Sequence, residues 1–177
     1  LRQNNMLEVI RDNEPASILD VGCGYGALAD LINQKKLNLK YSGVDVVDDM
    51  VLEAKSRHPE ANFVCGDFLS LDMRKFDYVV CNGILTQKMG VSNIDMNRFA
   101  QNLIKKMFHS AKIGIAFNMM STHVNFQKDN LFYKNPTELI AWCMSELTPH
   151  LVLNSAYELW YEYTVYLYNP IHPSGSL

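Results

Sequence analysis

Positive charge is scarce in this sequence: 16 Lys and Arg stand against 19 Asp and Glu, a formal net charge of -3. Binding to a phosphate backbone needs clustered cations, so no nucleic-acid partner is expected. Long apolar runs are missing as well, and the opening Leu1-Arg2-Gln3-Asn4-Asn5 lacks the apolar core of a signal peptide. Neither a membrane span nor export is expected. Cysteine is sparse, and Cys23, Cys65, Cys81 and Cys143 show neither zinc-site pairing nor a secreted disulfide framework. They read as reduced core residues of a cytoplasmic protein. Asp95, Asp129 and Glu138 are too scattered for a carboxylate metal site, so no metal is expected.

What is present is enough apolar content for a full core: 177 residues, 48% of them hydrophobic, are expected to form one domain over 1–177. The stretch Ser17-Ile18-Leu19-Asp20-Val21-Gly22-Cys23-Gly24-Tyr25-Gly26-Ala27-Leu28-Ala29 organises it. An apolar run carrying an acid breaks into glycines and resumes with helical spacing, which reads as strand, tight turn and helix. Glycine accepts positive φ and has no Cβ to block close approach, so the turn is expected to bring backbone N–H groups near a ligand. A second apolar run, Tyr41 to Asp45, closes with another acid roughly 20 residues beyond the glycines, where a βαβ unit presents a carboxylate to ribose hydroxyls. Together they describe a nucleoside pocket.

Elsewhere the chain alternates between helix and strand signals. Met6, Leu7, Val9 and Ile10 suggest a short helix before Pro15, and Leu28, Leu31 and Ile32 carry the helix after the glycines. Strand two is expected over 40–45. Asp48 then reads as the cap of a helix in which Met50, Leu52 and Ala54 run to His58 and stop at Pro59. Residues 61–65 and 76–81 read as further strands, the latter apolar enough to be covered on both faces. Ile94, Phe99, Leu103, Ile104, Met107 and Phe108 mark an amphipathic helix from Asn93, followed by a strand over 112–118. Asn135-Pro136-Thr137-Glu138 supplies an N-cap, a first-turn proline and a returning glutamate for a helix through Leu147. Residues 151–154 and 162–168 are strands too close in sequence to pair except as an antiparallel hairpin.

Gly22-Cys23-Gly24-Tyr25-Gly26-Ala27 also satisfies the loose dinucleotide fingerprint, and the surrounding residues separate the two families. Asp-x-Gly-x-Gly-x-Gly from Asp20 to Gly26 closely resembles the first motif of the class I S-adenosylmethionine-dependent methyltransferases. The resemblance continues in the family's order through Gly43-Val44-Asp45, Phe63-Val64-Cys65-Gly66-Asp67-Phe68 and Phe76-Asp77-Tyr78-Val79-Val80-Cys81-Asn82-Gly83. It implies an α/β fold: a three-layer αβα sandwich on a doubly wound, mostly parallel seven-stranded sheet that ends in an antiparallel β-hairpin. It also implies S-adenosyl-L-methionine as methyl donor, with S-adenosyl-L-homocysteine as product. By the same resemblance Asp45 takes the ribose hydroxyls, Val46 and Met50 touch adenine or ribose, and Asp67 takes the adenine amino group with the backbone of Phe68. Gly22, Cys23 and Gly24 face the methionine moiety through their backbones, Asp20 helps place its ammonium, and Asn82 joins them at the strand tips.

Structural readings stand beside these. Gly26 serves either ligand contact or close helix–strand packing, Asp67 could be a turn acid, Phe68 core, and Met50 helix packing. Family members often close the pocket with an N-terminal helix, and a chain opening on Leu is expected to lack part of that cap.

Methyl transfer from a sulfonium is an in-line displacement with a good leaving group, so alignment is the main requirement. A base is needed only for an acceptor that is protonated at working pH. The loops after strands four and five offer Asn82, Thr86, Gln87 and Lys88, then Asn118, Ser121 and His123. Histidine's reference pKa suits a base near neutrality, which makes His123 the catalytic candidate, against a solvated loop histidine. Asn118 and Ser121 either bind substrate or satisfy backbone groups. Amino-group methylases of nucleobases and protein glutamine place Asn/Asp-Pro-Pro-aromatic after strand four; Asn82-Gly83-Ile84-Leu85 has neither prolines nor aromatic. A small-molecule acceptor, metabolite or sugar-like, is expected, and Phe126, Leu131, Phe132, Tyr133, Trp160, Tyr161 and Tyr163 could wall it or pack the core. The alternatives are an NAD(P)-dependent Rossmann oxidoreductase and a non-catalytic cofactor-binding relative. Acceptor identity, the atom methylated and oligomeric state are left open by the sequence.

Overall fold

The computed structural model describes residues 1–11, 15–159 and 161–170. Its sheet is built by alternation of buried side chains. In β1 (Ala16–Val21) Ile18 faces one way and Leu19 and Val21 the other; in β4 (Phe76–Cys81) Tyr78 and Val80 part from Val79 and Cys81. β5 (Ala111–Ser121) likewise separates Ala116 from Ile115 and Phe117. Both sets are buried, so both faces of the sheet need cover. Helices α1 (Arg2–Leu7), α2 (Ala27–Gln34) and α3 (Asp48–Arg57) cover the Ile18 face. Helices α4 (Asn93–Ser110) and α5 (Pro136–Glu146) cover the Leu19 face. The result is the three-layer sandwich the sequence implies.

The remaining strands are β2 (Leu39–Asp45), β3 (Asn62–Cys65), β6 (Tyr133–Lys134), β7 (Leu151–Asn154) and β8 (Glu162–Tyr168). The main order is β3-β2-β1-β4-β5-β8-β7, parallel from β3 to β5, with β8 antiparallel to both β5 and β7. The expected seven strands are joined by an eighth, the two-residue β6. β5 continues to Ser121, past the last β4 pairing at Phe117, and β6 pairs with the edge this leaves at Met120 and Ser121.

Local chemistry accounts for other departures. Asp48 is the first helical residue of α3 rather than its cap; the N-cap is Val47, whose N–H donates to Asp45 Oδ1 at 3.0 Å. In α3 it is Val51 and Ala54 that face the core, while Met50 and Leu52 are exposed. α4 is capped by Ser92, whose Oγ accepts from Asp95 N–H, and this phase buries Met96, Ala100, Leu103, Ile104, Met107 and Phe108. Ile94 therefore lies on the solvent side. Asn135 caps α5 through Thr137 N–H at 2.9 Å, but Glu138 does not return; its carboxylate pairs with Lys134. Cys23, Cys81 and Cys143 are buried as expected of core thiols, whereas Cys65 is exposed. Among the described residues no helix is long and apolar enough to cross a membrane.

Candidate functional site

β1 is flanked by β2 and β4, so strand order reverses beside it and the crevice opens beyond the carboxyl ends of these strands. The glycine turn occupies that point. Gly22 and Cys23 N–H both donate to Val44 O, at 2.8 and 3.2 Å, and Gly26 N–H donates to Cys23 O at 3.0 Å. Gly24 N–H donates to Asp45 Oδ2 at 2.8 Å. This corrects the expectation of N–H groups reaching out to a ligand: in the folded turn these four are already satisfied. The open position is Gly24, φ +52°, where a Cβ would have nothing within 4 Å. A Cβ on Gly22 would meet Ile84 Cδ1 at 2.5 Å, and one on Gly26 would meet His58 Cδ2 at 2.9 Å. Gly26 thus lets the His58 ring pack against the turn.

Carboxylates ring this turn. Asp20 is 2% exposed and accepts from Tyr41 Oη at 3.0 Å. Burial raises its carboxyl to about 7; the Tyr41 bond opposes the shift and the charge of Asp45 adds to it. Burial, together with Asp20 and Asp45, pushes the Cys23 thiol up to about 12, which makes it an inert sulfur at neutral pH. Asp45 accepts one backbone N–H on each oxygen, from Gly24 and from Val47, and keeps further lone pairs for hydroxyl donors. Asp67 accepts from Leu69 N–H at 3.0 Å and Ser70 Oγ at 2.8 Å, the geometry of a turn acid, and remains exposed. Asn82 Oδ1 is a buried acceptor without a donor at the tip of β4.

A cavity of about 420 Å³ lies among these tips. Asp45 and Val46 wall it from the end of β2 and just beyond, Gly66, Asp67 and Phe68 from the loop after β3, and Ile84 from the turn after β4. Phe99 and Leu103 close it from α4, two wall residues that sequence reasoning read only as helix core. The Phe68 ring is buried, with Lys106 Nζ 5.3 Å from its centroid. Lys106 also donates to Leu69 O at 2.8 Å and Leu71 O at 2.6 Å, pinning the loop that carries Asp67. Met50 is exposed on α3 and does not line this cavity.

The acceptor-side candidates divide. Gln87 lines a neighbouring concavity of about 550 Å³ that shares Ile84 and Phe99 with the first. Ser121 and His123 line another, of about 560 Å³, beyond the ends of β5 and β7. Asn118 is buried: its Oδ1 accepts from Gly83 N–H at 2.8 Å and its Nδ2 donates to Glu162 Oε1 at 2.9 Å. That is the backbone-satisfying reading of this residue. Glu162 in turn accepts from Arg2 Nε at 2.9 Å. This chain of bonds from α1 to the β4 turn left no local signal in the sequence, since its members stand 160, 44 and 35 positions apart. The aromatic strip is split too: Phe132 and Tyr163 are core, Phe126 is exposed, and Trp160 lies outside the described residues.

A family model described as a methyltransferase domain matches residues 18–107, from β1 through most of α4. The chain belongs to the methyltransferase family. Its motifs and fold are those of the class I, S-adenosylmethionine-dependent branch, as the resemblance implied. It is 27% identical over 164 residues to the Mycobacterium tuberculosis methyltransferase-family protein Rv1506c, covering 90% of this chain and 96% of that one. A Clostridium acetobutylicum S-adenosylmethionine-dependent methyltransferase superposes with a TM-score of 0.64 at 14% identity, over 93% of this chain and 89% of that one. A Haemonchus contortus phosphoethanolamine N-methyltransferase, solved with S-adenosyl-L-methionine, gives 0.67 at 14% identity over 86% of this chain and 37% of its own.

Proposed function

We propose that this family member transfers the methyl group of S-adenosyl-L-methionine to a small-molecule acceptor, metabolite or sugar-like. The donor would lie in the cavity among Gly22, Asp45 and Asp67. The observation that carries this reading is the sign of the site. Asp45 and Asp67 on its wall and the orphaned Asn82 Oδ1 at the neighbouring β4 tip are acceptors, and no Lys or Arg is among the described wall residues. A ligand with an ammonium, ribose hydroxyls and an adenine amino group supplies the matching donors. A dinucleotide's pyrophosphate would instead face like charge and a turn whose N–H groups are taken, which disfavours the oxidoreductase alternative.

Bound there, the donor supplies an electrophilic methyl on a sulfonium. The chain's own part is positional: Asp45 orients the ribose while bracing Gly24 and Val47, Asn82 receives the ammonium, and Phe68 and Ile84 keep water from the adenine side. The test is calorimetry with S-adenosyl-L-homocysteine. Asp45→Ala should weaken binding by on the order of 1–3 kcal/mol through lost ribose hydrogen bonds. Unchanged affinity would remove Asp45 from the site, and binding of NADH in place of S-adenosyl-L-homocysteine would reverse the assignment.

A further inference from the structure

We infer that Asn118 and Glu162 are positioning residues for the donor: their side chains set the 82–84 turn that meets it, and Arg2 anchors that setting to α1. The inference rests on the methyl-transfer reading and adds to it what fixes the turn after β4.

The backbone alone holds this turn on one side only. Gly83 takes φ +93° just before the tight turn Ile84–Thr86, and its carbonyl accepts from Thr86 N–H at 3.1 Å and Thr86 Oγ1 at 2.7 Å. Its N–H depends on a side chain from another strand, Asn118 Oδ1 of β5, at 2.8 Å. The residues on either side of Gly83 are the ones that matter to the donor. Asn82 carries the orphaned Oδ1, and Ile84 lines the cavity and fills the place of a Cβ on Gly22. A displacement of the turn by more than about 0.5 Å would spoil both contacts.

Asn118 can serve Gly83 only with its amide one way round. Flipped, it would bring its NH2 against the Gly83 N–H and leave that donor unsatisfied. Glu162 selects the orientation, because a carboxylate only accepts: Asn118 Nδ2 donates to Oε1 at 2.9 Å, and a flip would set oxygen against oxygen. Both residues are buried, 1% and 4% exposed, so solvent does not compensate a wrong orientation. Arg2 approaches Glu162 Oε2 with Nε at 2.9 Å and a terminal nitrogen at 2.7 Å, which leaves Oε1 for Asn118. An apolar pair of the same volume would fill this space as well, but would leave Gly83 N–H without an acceptor.

Asn118→Asp tests this. The variant keeps the size of the side chain and an oxygen for Gly83 N–H, but sets a second carboxylate against Glu162. The two must then share a proton, and they separate when it is lost. Arg2, His123, Tyr157, Glu158, Tyr161 and Tyr163 are the other titratable or charged groups around Glu162. They and Asp20 are common to both proteins, so the ratio of variant to wild-type affinity isolates the new pair. Calorimetry with S-adenosyl-L-homocysteine should give a ratio within about threefold of unity at pH 5 and a loss of about tenfold by pH 8. The Gly83 amide resonance of the variant should move over the same range. In the wild type, hydrogen exchange of that amide should be slow, and slower still with S-adenosyl-L-homocysteine bound, a readout that needs no variant. A ratio that stays flat with pH, or a wild-type Gly83 amide that exchanges as freely as an exposed loop N–H, would overturn the inference and leave the donor site standing. Failure of the wild type itself to bind S-adenosyl-L-homocysteine would sink the methyl-transfer reading, and the inference with it.

Discussion

The acids after β2 and β3 brace close neighbours in sequence, whereas the tips of β5 and β8 are joined by residues far apart. Asp45 braces Val47, two positions on, and Asp67 holds Leu69 and Ser70. On the other side Asn118 reaches Glu162 across 44 positions, and Arg2 reaches Glu162 across 160. The family match follows the same divide: it spans the first region and stops at residue 107, before β5 begins. Contacts encoded in short motifs can be recognised in a single chain, while those made by distant pairs have to be seen folded.

The largest expected effect lies in the donor region. The Asp20 carboxyl is held at about 7 against 3.8 for the free group, so the folded state keeps a proton that the unfolded chain releases. The stabilisation this gives is fully present below about pH 4 and is lost as pH rises through about 7, a swing on the order of 4 kcal/mol. Thermal denaturation should show stability falling over that window in the ligand-free protein, and Asp20→Asn should flatten the slope. A wild-type slope in the variant would move the burial cost to another group.

A somewhat smaller effect is expected at the distant pair. The Arg2 side chain is 49% exposed but its partner Glu162 only 2%, so Arg2→Ala would leave a buried carboxylate without a cation. The loss should be on the order of 3 kcal/mol in urea unfolding, toward the lower end for buried pairs because one partner is solvated. Lys134→Ala, which breaks the exposed i,i+4 pair with Glu138, should cost about 0.5 kcal/mol or less. Equal costs would erase the contrast between local and distant construction.

The smallest effect concerns Lys106, a distant residue that serves a local motif. Lys106→Met should free the carbonyls of Leu69 and Leu71, weakening S-adenosyl-L-homocysteine binding by about 1 kcal/mol with little change in thermal midpoint. A changed midpoint with unchanged affinity would make Lys106 a stability residue alone.

Much of the architecture could be read in advance because it is periodic. Phe76–Cys81, Leu151–Asn154 and Glu162–Tyr168 begin and end where the apolar and β-branched patterns do. The N-cap at Asn135 was legible because its side chain acts on the next three residues. Asp45 stood out as a candidate from its spacing, but not its grip on Gly24, which depends on β1 and β2 lying in register. The fate of the glycine N–H groups was hidden for the same reason: their acceptor, Val44 O, belongs to the adjacent strand. Asn118 could be narrowed only to two roles, since Gly83 and Glu162 become its neighbours through sheet pairing.

β8 lies inside the sheet, between β5 and β7, although it follows every other described strand in the chain. During synthesis β1 to β5 can pair while the sheet still waits for this strand. Until β8 arrives, β5 presents a long bare edge to the crowded surroundings of the ribosome, the kind of surface on which nascent chains stick to one another. Arrival of Glu162–Tyr168 then closes that edge and joins Glu162 to Asn118 in a single event, so the chain whose strands are all paired is also one that has lost its most adhesive flank.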